Sequence, residues 1–138
     1  VDEAFADTAG WAALFVEKQV GHDEAVRAVD AWINSGKRLV TTSLVIAEFV
    51  ALAESPLRVP RPSQVVYVEA IRAAPWVEVF HVDESLQQDG WNLFKSRMDK
   101  AWSLVDCVSF VLMRRRGMLR ALTLDHHFEQ AGFVRLLA

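Results

Sequence analysis

Arg38-Leu39-Val40-Thr41-Thr42-Ser43-Leu44-Val45-Ile46-Ala47-Glu48-Phe49-Val50-Ala51-Leu52-Ala53 changes its character within one residue. Residues 38–42 read as a strand, with β-branched Val40, Thr41 and Thr42. Ser43 is a candidate N-cap, and Leu44–Glu54 then reads as a helix. A strand running straight into a helix is half of a parallel-sheet unit.

Reading outward, the same alternation recurs. Upstream, Ala4–Asp7 is a short apolar strand ending on an acid, followed by helical patterns over Gly10–Lys18 and His22–Asn34, with Gly21 and Gly36 as breaks. Downstream, Pro56, Pro60 and Pro62 mark one loop before a helix to about Ala74. Trp76–Val82 alternates as a strand, Asp83 opens a helix to about Met98, and Ser103 opens another reaching Arg116 and ending at Gly117. Leu119–Leu124 is a strand, His126–Ala131 a short helix, and Phe133–Leu137 a last strand. The expected architecture is α/β: a mostly parallel five-stranded sheet with helices on both faces, a three-layer α/β/α sandwich, in one domain over residues 1–138.

Composition narrows the function classes. The 138 residues are 52% hydrophobic and 24% charged with net charge −3, which suits a globular core and excludes a disordered chain. The longest apolar stretches are cut by Glu48 and Asp106, short of the roughly 20 residues a membrane span needs. The single cysteine, Cys107, excludes a disulfide framework and a cysteine-rich zinc site. The opening Val1-Asp2-Glu3 is acidic where a secretory signal is basic, so a cytoplasmic protein is expected, with an initiating residue missing before Val1. Charge is uneven. Residues 1–94 hold 7 Lys/Arg against 14 Asp/Glu, and residues 95–138 hold 8 against 4.

Four acids stand in apolar surroundings. Glu48 is the one polar residue of Leu44–Ala53, and a helix apolar all round is a buried one. Asp106 sits near the start of the apolar Leu104–Leu112; Asp7 and Asp125 end strand patterns. An isolated buried carboxylate costs several kcal/mol unless it is paired, protonated or bound to metal. In open parallel sheets the ligand crevice lies beyond the carboxyl ends of the strands. All four acids are placed to reach it. Each also has a purely structural reading. Ser103-x-x-Asp106 is a capping-box variant, Glu48 can pair with an arginine, and Asp7 and Asp125 can form turns or N-caps.

Together, four carboxylates without paired His or Cys ligands make a hard oxygen site, suited to Mg²⁺ or Mn²⁺. Such a cluster is the equipment of phosphodiester hydrolysis, where metal activates water and stabilises the leaving oxygen. Lys95, Arg97, Lys100, Arg114, Arg115, Arg116 and Arg120 can then carry a phosphate backbone; equally, the arginines can be a solvated helix end favoured by the helix dipole.

The segments Phe5-Ala6-Asp7-Thr8-Ala9, Thr41–Glu48, Trp102–Phe110 and Leu122-Thr123-Leu124-Asp125-His126-His127-Phe128 resemble, in order and spacing, the four acidic motifs of PIN-domain ribonucleases. The chain length and the ending Asp125–Phe133 are most similar to the VapC-type toxins of bacterial toxin–antitoxin pairs. This resemblance spans nearly the whole chain. It implies a five-stranded parallel sheet and a Mg²⁺- or Mn²⁺-dependent endoribonuclease that leaves 5′-phosphate and 3′-hydroxyl ends. It also implies a homodimer and a small antitoxin partner whose tail covers the site. By the family pattern Asp7, Glu48, Asp106 and Asp125 are the catalytic, metal-holding acids. Thr8 orients the first carboxylate, Asp7, or a metal-bound water, Thr123 does likewise near Asp125, and Ser103 and Asp99 are accessory candidates.

His126 and His127 are read as surface or packing residues, with phosphate contact or proton transfer as the alternative. The five tryptophans are read as core or dimer interface, except Trp102, which stands in a polar loop as a candidate base-stacking platform. Cys107 is read as a small hydrophobe. Two other functions compete. A phosphoacceptor receiver also uses an acidic Mg²⁺ pocket, but needs a lysine after a late strand, and no lysine follows Lys100. A non-catalytic binding module would retain the acids for structure alone.

Overall fold

The computed structural model describes residues 2–138. Their elements run β1 (Glu3–Ala6), α1 (Thr8–Phe15), α2 (His22–Asn34), β2 (Arg38–Thr42), α3 (Ser43–Glu54), α4 (Arg61–Ala73), β3 (Val77–Phe80), α5 (Glu84–Ser96), α6 (Leu104–Arg116), β4 (Arg120–Leu122), α7 (His127–Gln130) and β5 (Val134–Arg135). The five strands form one sheet in the order β3-β2-β1-β4-β5, and every pair is parallel. The expected fold class is the observed one.

Topology alone locates the crevice. From the central β1 the chain steps outward through β2 to β3, then crosses back to β4 and continues outward to β5. The direction of winding reverses between β1 and β4, which opens a gap at their carboxyl ends. Right-handed crossovers put the two windings on opposite faces. Accordingly α1 packs on α2 and α3, and α3 on α4, while α5 packs on α6 and α6 on α7.

The core follows from side-chain period. On one face Trp11, Phe15, Phe49 and Tyr67 cluster, with Phe15 and Tyr67 ring centroids 5.0 Å apart. On the other, Phe110 meets Phe128 edge-on at 4.9 Å and Trp102 at 5.1 Å, with Phe5 stacked on Phe128. Truncating a fully buried ring such as Phe110 to alanine costs about 3–5 kcal/mol. Two glycines set the close approaches. A Cβ on Gly10 would lie 1.9 Å from the Leu122 carbonyl oxygen, so α1 can rest against β4 only with glycine there. A Cβ on Gly90 would lie 2.4 Å from the Val108 side chain, where α5 meets α6.

Several boundaries differ from the sequence reading, each for a local reason. The N-cap of α3 is Thr42, whose hydroxyl accepts from the Val45 N–H; the Ser43 hydroxyl instead accepts from the Val82 N–H across the sheet end. The first helix starts at Thr8, because Asp7 leaves the strand to cap it. Strands β3, β4 and β5 are shorter than their patterns, and β4 stops at Leu122, where its pairing with β1 ends. Nor is α3 buried all round, since Ala47 and Ala51 are exposed. No described helix is long and apolar enough to cross a membrane.

Candidate active site

Asp7 follows β1 directly and is buried. As N-cap of α1 it accepts from the Gly10 N–H at 2.9 Å, and its second oxygen accepts from the Thr123 hydroxyl at 3.0 Å. Burial dominates those bonds and pushes its pKa up to about 8, with the charges of Asp125 and Asp106 adding to the rise. Asp7 is thus both the helix cap and a crevice acid; the two readings do not compete.

Glu48 lies in the second turn of α3, half-buried, and the Thr8 hydroxyl donates to its Oε1. No arginine pairs with it among the described residues. Burial raises its pKa, the Thr8 bond opposes the rise, and Asp106 and Asp125 reinforce it.

Asp106 makes the expected capping box. Its N–H donates to Ser103 Oγ, and its Oδ2 accepts from the Ser103 N–H, both at 3.0 Å. That same oxygen also lies 3.0 Å from His127 Nδ1. Burial raises its pKa, partly offset by the Ser103 N–H and by His127, and Asp125 adds like charge.

Asp125 follows β4 in a turn whose backbone is fixed at both ends. Its N–H donates to Thr123 Oγ1, and its Oδ1 accepts from the His127 N–H, each at 2.9 Å. The Thr123 hydroxyl therefore serves two acids at once, donating to Asp7 while accepting from the backbone of Asp125.

The four carboxylates come together from four elements, and among the described residues none has a lysine or arginine partner. Burial first, and like charge after it, raise the pKa values of Asp7, Glu48 and Asp106, a cost that protons would relieve and a divalent cation would relieve better. The oxygen donors fit Mg²⁺ or Mn²⁺. Thr8 bonds Glu48 rather than the first acid, Asp7, and Thr123 donates to Asp7 while touching Asp125 only through its backbone N–H; Ser103 bonds Asp106.

Other expectations are corrected. Asp99 is exposed and held by Arg97 in a two-bond ion pair of 3.0 Å each, which lowers its pKa to about 2 and occupies it away from the cluster. Trp102 is buried against Phe110, donates to Gln130 Oε1 at 3.0 Å, and is covered by the Arg97 guanidinium at 5.1 Å. A ring so enclosed offers no face to a base. The arginines at the end of α6 lie at the other end of the molecule. Arg116 is ten positions past Asp106, about 15 Å along the helix, and it pairs with Glu3 and Glu78. Arg115 pairs with Asp89, and Arg114 reaches the Ala131 carbonyl. Lys95 and Lys100 remain free of ion pairs, lining a groove of about 550 Å³ with Trp91, Phe94 and Met98. Cys107 is buried, and burial pushes its thiol up to about 11, as suits a small hydrophobe.

His127 was undervalued by sequence. Its Nδ1 stands 3.0 Å from Asp106 Oδ2 and 3.3 Å from Asp125 Oδ2, while His126 is largely exposed. Two adjacent histidines opening a helix must point different ways, but only the tertiary contacts decide which turns inward.

The PIN domain family profile matches residues 4–134. The 23S rRNA-specific endonuclease VapC20 of Mycobacterium tuberculosis is 31% identical over 132 residues, 96% of this chain and 96% of its own length. The crystal structure of Mycobacterium tuberculosis VapC20, a sarcin-ricin loop cleaving toxin, has a TM-score of 0.86 at 30% identity, covering 98% of this chain and 99% of that one. FitAcB from Neisseria gonorrhoeae shares the fold with a TM-score of 0.65 at 14% identity, over 96% and 95% of the two chains.

Proposed function

The chain belongs to the PIN domain family, and from that premise we propose that it is a Mg²⁺- or Mn²⁺-dependent endoribonuclease. We propose further that it is the toxin of a toxin–antitoxin pair and cuts a loop of 23S ribosomal RNA, as VapC20 does by name. The observation that carries the reading is the convergence of Asp7, Glu48, Asp106 and Asp125 at the β1/β4 crevice with no lysine or arginine partner among the described residues.

These four residues would hold the metal. A divalent cation bound there supplies the activation of water and the charge that stabilises the leaving oxygen. The chain's own residues supply the positioning. Thr8 fixes one oxygen of Glu48, Thr123 fixes one of Asp7, and Ser103 fixes one of Asp106. Such preorganisation keeps the acids close despite mutual repulsion. A rigid acidic pocket repels a bare phosphate backbone, so RNA approach depends on the metal and on surface cations such as Lys95 and Lys100, which have no ion-pair partner among the described residues. A homodimer, an antitoxin whose tail covers the acids, and a cytoplasmic setting complete the proposal.

The test is incubation of the folded protein with ribosomal RNA, with Mn²⁺ and with chelator, mapping the fragment ends. Metal-dependent cuts at one or a few positions, leaving 5′-phosphate ends and absent for Asp7→Asn, are expected. A folded, antitoxin-free protein that cuts nothing and shows no thermal shift with Mn²⁺ would instead be a binding module.

A further inference from the structure

Among the described residues, His127 is the one side chain that touches two of the four carboxylates at once. Its Nδ1 lies 3.0 Å from Asp106 Oδ2 and 3.3 Å from Asp125 Oδ2, and its backbone N–H donates to Asp125 Oδ1 at 2.9 Å. The ring is held there from below. His127 opens α7, and the next residue, Phe128, is fully buried between Phe5 and Phe110. Asp106, for its part, is fixed by the Ser103 capping box at the head of α6. The histidine thus joins two elements that approach the crevice from separate parts of the chain.

A nitrogen shared by two carboxylate oxygens needs a proton between them, and an ionised carboxylate has none to give. Facing two ionised carboxylates at these distances, the ring serves both only as an Nδ1–H donor, and a nitrogen in that role has no lone pair for a metal. We propose that His127 is a positioning residue, a clasp that draws the Asp106 and Asp125 carboxylates together so that both face one cation without itself being a ligand. This rests on the divalent-cation reading above. Hydrogen-bond partners of this kind, behind the ligands, typically contribute about 10–100-fold to metal affinity.

The test measures Mn²⁺ affinity of the whole chain by calorimetry for wild type, His127→Ala and His127→Asn, with circular dichroism to establish folding. The asparagine amide stands two bonds from Cβ, as Nδ1 does, and keeps a donor there. His127→Ala is expected to bind Mn²⁺ about 10–100-fold more weakly, and His127→Asn to recover most of the loss. RNA cleavage by His127→Ala is expected to return as Mn²⁺ is raised, whereas loss of a catalytic group would persist at saturation. Electron spin-echo spectra of the wild-type Mn²⁺ complex should show no histidine nitrogen coupling. Unchanged affinity in His127→Ala, no rescue by asparagine, or a directly coordinated nitrogen would each overturn the clasp. Should the wild type bind no Mn²⁺, the metal reading falls and the clasp with it; wild-type binding with unchanged affinity in His127→Ala overturns the clasp alone.

Discussion

At the amino ends of the strands, Glu3, Arg38, Glu78 and Arg116 alternate in sign. Arg116 grips Glu78 with two bonds of 2.8 and 2.9 Å and reaches Glu3 at 2.9 Å, while Arg38 bridges Glu3 at 2.9 Å and Glu78 at 3.3 Å. At the carboxyl ends, four acids share threonine, serine and histidine partners but no arginine or lysine. Environment separates the two sets. The Arg116 hydrogen bond lowers the Glu78 pKa, whereas burial and like charge raise those of Asp7, Glu48 and Asp106. One helix spans both regions, with Asp106 at the start of α6 and Arg116 at its end. Charges that satisfy one another hold a fold; charges left unsatisfied await something else.

The largest expected effect breaks the comparison at the acidic end. Asp7→Asn or Asp106→Asn should lower RNA cleavage on the order of a thousandfold, the upper range for losing a charge-stabilising group, with circular dichroism unchanged. Asparagine caps a helix as well as aspartate, so α1 keeps its start, and α6 keeps its Ser103 N-cap while the asparagine oxygen at 106 still accepts from the Ser103 N–H. Near-full activity in both variants would end the nuclease proposal.

Next comes stability without metal. Because the folded pKa of Asp7 is raised to about 8, its contribution is fully present below the unfolded value near 4 and is lost as pH climbs through about 8. Metal-free protein should therefore lose a few kcal/mol between pH 4 and pH 8. Urea unfolding at both pH values checks this. Asp7→Asn should flatten the profile and be the more stable protein at pH 8; a variant weaker than wild type there would contradict the account. Mn²⁺ should restore wild-type stability, and more so at higher pH, because binding must expel the Asp7 proton.

At the other end, Arg116→Gln strands Glu3 and Glu78 with Arg38 alone. The groups are partly exposed, so the expected loss is modest, about 1–2 kcal/mol. Mn²⁺ affinity should not change. A large fall in metal binding would show the two ends coupled through α6.

The smallest effect separates the cations. Lys100→Ala should weaken RNA binding and reduce its salt slope by about one, while Arg115→Ala, whose guanidinium pairs with Asp89, should leave cleavage within about twofold. Equal effects would mean the basic residues act as one diffuse field.

Sequence was most legible where chemistry and period coincide. Arg38–Thr42 and His22–Asn34 have the boundaries their patterns predict, and the Asp83 and Ser103 caps stand where they were read. The four acids were legible because each violates its surroundings: one charge in an apolar run signals a cost that something must offset. Asp99 carried no such signal, and only the Arg97 pairing shows where its charge is spent. Trp102 misled because local polarity says nothing of what folds over a loop; Phe110 and Arg97 cover it from outside its neighbourhood.

By itself the sequence determined that strands alternate with helices, that the sheet is parallel, and that acids stand at strand ends and helix starts, since all of these are set by contacts within a few residues. The tertiary structure decided which partners those acids receive. That winding reverses between β1 and β4, that the Thr123 hydroxyl meets Asp7, that His127 rather than His126 turns onto Asp106, and that Arg116 is spent on Glu3 all depend on residues far apart in the chain. Periodicity records which face a residue presents, but a hydrogen bond across 116 positions exists only once the sheet has closed and brought both ends to the same place.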